Sequence, residues 1–144
     1  MNGFLGTAAA AVFVWLGMVL AISFLEAPLK FRAPGVTVQV GLGIGRLVFR
    51  ALNACEVVLA AVAVSMMVLG RAPVAAAVTV GAAVAALGLQ VVVIRPVLTR
   101  RSDAVLADAA VAESGRSGAH LGYVGFELLK VVALLVGGIM LLAS

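Results

Sequence analysis

A chain of 144 residues that is 65% hydrophobic and 11% charged, with a mean hydropathy of +1.26, cannot bury its apolar surface in a soluble fold. Ordinary soluble domains are roughly 45–50% apolar and about 25% charged. A net charge of +4 raises the question of nucleic acid, but the basic residues fall between apolar runs and no basic stripe carries interleaved aromatic residues, so no nucleic-acid partner is expected. The single cysteine, Cys55, excludes an intrachain disulfide and a cysteine cage for a metal.

A helix needs about 20 apolar residues to cross about 30 Å of hydrocarbon, and four such helices with short loops use up the chain. The prediction is an all-α, polytopic integral membrane protein: a four-helix bundle forming one domain over residues 1–144. The first span covers residues 4–25, with Trp15 midway, and is bounded by Glu26, Pro28, Lys30 and Arg32. Its apolar run is too long for a signal-peptide core and lacks a positive leading segment, which predicts an uncleaved helix. The second span covers 51–70. Before it, in GVTVQVGLGIG, period-2 alternation gives way to Gly41, Gly43 and Gly45, which reads as an interfacial loop or an early helical turn. The third opens at Pro73, runs over 74–94, and is expected to stop or kink at Arg95 and Pro96. Residues 96–117 alternate in charge sign and read as a cytosolic connector. Within it, Ser102 and Asp103 suit a helix start and Glu113 to Gly115 a helix end. The fourth span covers 118–143.

Orientation follows from Lys and Arg in the short connections. Lys30, Arg32, Arg46, Arg50, Arg95, Arg100, Arg101 and Arg116 lie on one side, and only Arg71 on the other. That side is therefore predicted to be cytoplasmic, with both termini outside, in a cell inner or plasma membrane.

The polar residues inside the spans then gather in the cytoplasmic leaflet. At 100° per residue, Arg46, Arg50, Asn53 and Glu56 lie within about 120° of one another around one helix, and His120, Tyr123, Glu127 and Lys130 within about 80° around another. Counting helix rise from the far ends of these spans puts Glu56 about 8 Å and Glu127 about 5 Å inside the hydrocarbon boundary. Carboxylates at that depth are costly unless they face protein, water or a cation, so the two stripes are expected to face each other. The candidate ligand- or proton-binding set is Glu26, Arg46, Arg50, Asn53, Glu56, His120, Tyr123, Glu127 and Lys130.

Each of these residues also has a plainer reading. Lys130 and Arg50 can snorkel to headgroups, and Glu56 with Arg50 or Arg46, or Glu127 with Lys130, can be ion pairs that fix helix register. His120 alone reads as an interfacial hydrogen-bonding residue. GLGIGR lacks the strand, helix and acidic ribose contact of a nucleotide site. The GxxxG spacings of Gly41 with Gly45 and Gly118 with Gly122 suit close helix packing within the chain or in a homo-oligomer. One histidine cannot supply two axial haem ligands, the paired Glu-x-x-His of a di-iron bundle is missing, and no nucleophile arrangement is evident. No metal, cofactor or catalytic residue is therefore expected.

Trp15 to Gly17 (WLG), Ala27 to Phe31 (APLKF), Gly45 to Phe49 (GRLVF) and His120 at the opening of the last span resemble landmarks of the four-helix membrane proteins related to transmembrane protein 205. The resemblance implies the four-span topology and marks Pro28, Phe31, Arg46, Phe49 and His120 as family-like. It implies no activity, and Glu56 and Glu127 fall outside its pattern.

Three functions follow in order. The first is a small membrane protein whose cytoplasm-facing site takes a small polar or cationic ligand, or protons, with transport as one use. The second is a non-catalytic assembly or scaffold protein, and the third a redox or quinone-binding accessory. An open cavity at the cluster favours the first, and a collapsed, fully paired cluster the second.

Overall fold

The computed structural model describes residues 2–107 and 118–144. Helix α1 (Gly3–Val19) passes into a π-helical segment (Leu20–Glu26) and a short α2 (Ala27–Lys30). Helix α3 (Val38–Gly70) turns into α4 (Val74–Leu89), which continues through a second π-helical segment (Gln90–Ile94) into α5 (Arg95–Ala107). Helix α6 (Gly118–Leu142) closes the bundle. Four of these runs are long and apolar enough to cross a membrane, and no strand occurs among the described residues, so the fold is an all-α four-helix bundle.

The caps are local and specific. Asn2 accepts from Leu5 N at 3.0 Å and donates to Gly70 O at 3.2 Å, tying the start of α1 to the end of α3. Thr37 accepts from Val40 N at 3.2 Å and starts α3 thirteen residues before the expected span. The glycine-rich stretch is thus the first part of one long helix. Gly41 and Gly45 do not break it, because Phe31 and Lys30 pack against their bare faces and offset the low helix propensity of glycine. The turn to α4 is closed by Arg71, at φ 55°, with Ala72 N donating to Met67 O at 2.9 Å.

The expected stop at Pro96 does not occur. A proline inside a helix has no N–H and crowds the carbonyl four residues back. Here a π segment widens the turn just before the proline, and Arg95 N bonds to Gln90 O, five residues back. The same device precedes Pro28, where Ala27 N bonds to Ile22 O. Ser102, expected as a helix start, therefore lies inside α5, and the expected helix end at Glu113 to Gly115 lies outside the described residues.

Packing follows the order α3, α1, α6, α4, with α1 against α3 and α6, and α6 against α4. Helices α3 and α4 touch much less, so the bundle is more open on that side. Close approach is set by small residues. A Cβ on Gly137 would lie 2.8 Å from Val80 Cγ2, and one on Gly138 would lie 2.8 Å from Phe13 Cζ, so α6 meets α4 and α1 through adjacent glycines. The core between them holds Leu5, Val12, Trp15, Leu16, Met67, Val80, Leu134 and Leu141. Outward positions are apolar too: Val68, Val74 and Val92 are each more than 70% exposed, as a lipid-facing surface requires.

Candidate functional site

Among the described residues, five polar or charged side chains are buried in this apolar bundle: Asn53, Glu56, Gln90, Glu127 and Lys130. Their depth follows from helix rise. Glu56 stands fourteen residues from Gly70 and Lys130 twelve from Leu142, or about 21 Å and about 18 Å along their axes. Both therefore lie inside a hydrocarbon layer of about 30 Å rather than at its surface.

Lys130 is the hub. Its ammonium donates to Glu56 Oε1 at 2.5 Å and contacts Glu127 Oε1 at 2.7 Å, and the side chain has no exposed surface. Glu56 Oε1 also accepts from Trp15 Nε1 at 2.9 Å. With its amide turned to suit its neighbours, Asn53 donates to Glu56 Oε2 at 3.0 Å and accepts from Arg95 Nη1. Arg95 further donates to Phe49 O at 3.3 Å. On the other carboxylate, Glu127 Oε1 accepts from Gln90 Nε2 at 2.8 Å and Glu127 Oε2 from Ser23 Oγ at 2.6 Å. Gln90 Nε2 reaches Tyr123 O as well, at 3.2 Å.

Each carboxylate oxygen thus has at least one donor from the protein. With both carboxylates ionised, Lys130 and Arg95 bring the formal charge of the cluster to zero. All four long runs contribute: Trp15 and Ser23 from the first, Asn53 and Glu56 from α3, Gln90 and Arg95 from the α4–α5 run, and Glu127 and Lys130 from α6. The π segments matter locally, because Ser23 and Gln90 both sit in them and both face Glu127. Two polar atoms in this region are buried without a partner, Tyr123 Oη and Gln90 Oε1. The Tyr123 ring meets Phe49 edge to face at 5.7 Å.

Of the nine candidate residues, the structure brings together Asn53, Glu56, Tyr123, Glu127 and Lys130. Arg46 is elsewhere, paired with Asp103 of α5 at 2.7 Å on a partly exposed surface. Arg50 is exposed on α3. Glu26 pairs loosely with Lys30, 3.7 Å away, at the far end of the first run. Arg46 departs from the expected shared site because helical spacing fixes direction but not depth, and Arg50 because it stands about 120° around α3 from Glu56. Arg46 stands ten residues, about 15 Å, beyond Glu56. His120 lies on α6, and its side chain falls outside the described residues. Trp15, Ser23, Gln90 and Arg95 were not among the nine. Gln90 and Arg95 carried a signal as polar ends of an apolar run; Trp15 and Ser23 carried none, being ordinary members of a membrane span.

The GxxxG glycines divide similarly. Gly41 and Gly45 face Phe31 and Lys30 within the chain, and Gly122 approaches Ile94. Gly118 has no described side-chain environment. Among the described residues, no group of three His, Cys, Asp or Glu side chains is placed to hold a metal ion.

Fold and cluster together define a polytopic membrane bundle braced across its interior by an ion network. Comparison of the chain with known protein-family models, curated proteins and solved structures finds no match.

Proposed function

We propose that this is a non-catalytic structural protein of the membrane, an assembly or scaffold element whose buried charges fix the relative register of its four helices. The observation that carries this reading is the saturation of both carboxylates by donors drawn from every long run, with Lys130 lodged between them. A cationic ligand would need the place that the Lys130 ammonium fills. A brace of this kind contributes specificity more than stability, since buried ion pairs are often no more stabilising than apolar residues of the same volume. The resemblance to proteins related to transmembrane protein 205 fits a shared frame. Two of its landmarks, Phe31 and Phe49, flank Lys30, and a third, Trp15, donates to Glu56.

A second reading, a proton-handling site in transport, is favoured by one observation. Tyr123 Oη and Gln90 Oε1 are buried beside the carboxylates and lack partners. Such groups normally bind water or a ligand. Reconstitution into vesicles under an imposed pH gradient separates the readings. The scaffold dissipates the gradient no faster than empty vesicles. Faster dissipation that Glu127→Gln abolishes would replace the scaffold reading with the proton-handling one.

In the cell the bundle resides in an inner or plasma membrane with both termini outside the cytoplasm. The bias of Lys and Arg toward the loop before α3, the first half of α3 and the run after α4 supports this orientation.

A further inference from the structure

At the end of the first run, away from the braced cluster, a shallow groove of about 390 Å³ is lined by Ala21, Leu25, Glu26, Leu29 and Lys30. Its two ends differ in chemistry. Ala21 stands eighteen residues from Gly3 and Lys30 twenty-seven, or about 27 Å and about 40 Å along the axis. The groove therefore runs from the edge of a hydrocarbon layer of about 30 Å into the headgroup layer.

The charged end is fixed but incompletely bonded. The Lys30 ammonium lies 5.4 Å from the centre of the Phe31 ring and 5.5 Å from that of Phe49, above Gly45, where a Cβ would come within 2.8 Å of it. Held there, it stays 3.7 Å from Glu26 Oε2, beyond a direct hydrogen bond. Glu26 Oε2 is buried and has no donor. The Glu26 side chain as a whole is still 29% exposed, so a partly accessible carboxylate that lacks a full set of donors, a cation beside it and an apolar track on the outer face of the same run line the groove.

We propose that this groove binds a phosphatidylethanolamine lipid, with its ammonium donating to Glu26, its phosphate accepting from Lys30, and an acyl chain along Ala21, Leu25 and Leu29. The choice of lipid rests on charge and donor count. A zwitterion matches a site carrying one carboxylate and one ammonium. A primary ammonium brings three N–H donors to the carboxylate, whereas the quaternary ammonium of phosphatidylcholine brings none. An anionic phosphatidylglycerol sets its only charge beside Glu26 and offers no cation to it. The apolar track selects a lipid over a soluble headgroup compound.

The test is lipid retention. Purified protein is equilibrated with equal amounts of phosphatidylethanolamine, phosphatidylcholine and phosphatidylglycerol of identical acyl chains, and the lipids that remain bound are counted by native mass spectrometry. Phosphatidylethanolamine should exceed each of the others by about tenfold, the discrimination expected of one charge-assisted hydrogen bond. Glu26→Gln should bring phosphatidylethanolamine to parity with phosphatidylcholine, and Leu25→Trp, which fills the groove and keeps the ion pair, should reduce its retention. Parental far-ultraviolet circular dichroism and a parental thermal transition verify that each variant is folded. Soluble phosphoethanolamine at millimolar concentration should not displace the lipid. Equal retention of the three lipids, preference for phosphatidylglycerol, an unchanged preference in either folded variant, or displacement by the soluble headgroup would each overturn the proposal.

Discussion

Replacing Lys130 with methionine tests the brace at its hub. The substitution keeps the length of the side chain and removes the charge that touches Glu56 Oε1 at 2.5 Å and Glu127 Oε1 at 2.7 Å. Two buried carboxylates would then share one bundle, with Arg95 reaching Glu56 only through Asn53. Removing one partner of a buried ion pair costs about 3–5 kcal/mol. Lys130 serves two partners and has no exposed surface, so the loss should fall at the upper end, about 5 kcal/mol. Against a total stability on the order of 5–15 kcal/mol, that brings the variant close to unfolding. Adding Glu127→Gln removes the second carboxylate while keeping an oxygen that accepts from Gln90 or Ser23. The double variant should recover about 0.5–3 kcal/mol, the coupling typical of residues in contact. Trp15 is the only tryptophan, is buried and donates to Glu56, so its emission during unfolding in mixed micelles reports on the cluster itself. A Lys130→Met protein as stable as the parent, or a double variant no more stable than Lys130→Met alone, would refute the brace.

Gly137→Ala should destabilise by about 1–3 kcal/mol, because its Cβ meets Val80 Cγ2 at 2.8 Å and Thr79 Oγ1 at 2.9 Å, whereas Gly125→Ala, with open space at that position, should be neutral or slightly stabilising. The same unfolding measurement compares them, and equal effects would contradict the close α4–α6 approach. Asp103→Asn should change stability by no more than about 1 kcal/mol, since its pair with Arg46 is largely exposed; a larger loss would assign that pair a structural role. Reporter fusions should place residues 100–116 in the cytoplasm and Asn2 and Ser144 outside, and a cytoplasmic carboxyl end would reverse the orientation drawn from the basic connections.

The pair of stripes was legible in the sequence for a physical reason: a carboxylate within an apolar run must face protein, so Glu56 and Glu127 had to turn inward, with Asn53 and Lys130 on the same faces. Depth was less legible. Arg46, Arg50, Asn53 and Glu56 share one face by angle, yet α3 is 33 residues long, about 50 Å, and carries Arg46 past the hydrocarbon edge to meet Asp103. The length of α3 was hidden because Gly41, Gly43 and Gly45 argue locally against a helix. The packing that overrides them comes from Phe31 and Lys30, across the loop. The π segments were hidden for a different cause. A proline predicts an interruption, but the chain can accommodate it by widening one turn rather than ending the helix, and the choice depends on what the shifted residues gain. Here Gln90 gains the carboxylate of Glu127 and the carbonyl of Tyr123, while Ser23 gains the other oxygen of Glu127. The irregular turns and the ion network are therefore one arrangement. If the π segment before Pro28 were regularised to an α-helix, Ser23 would rotate off Glu127, and that carboxylate would keep only Lys130 and Gln90.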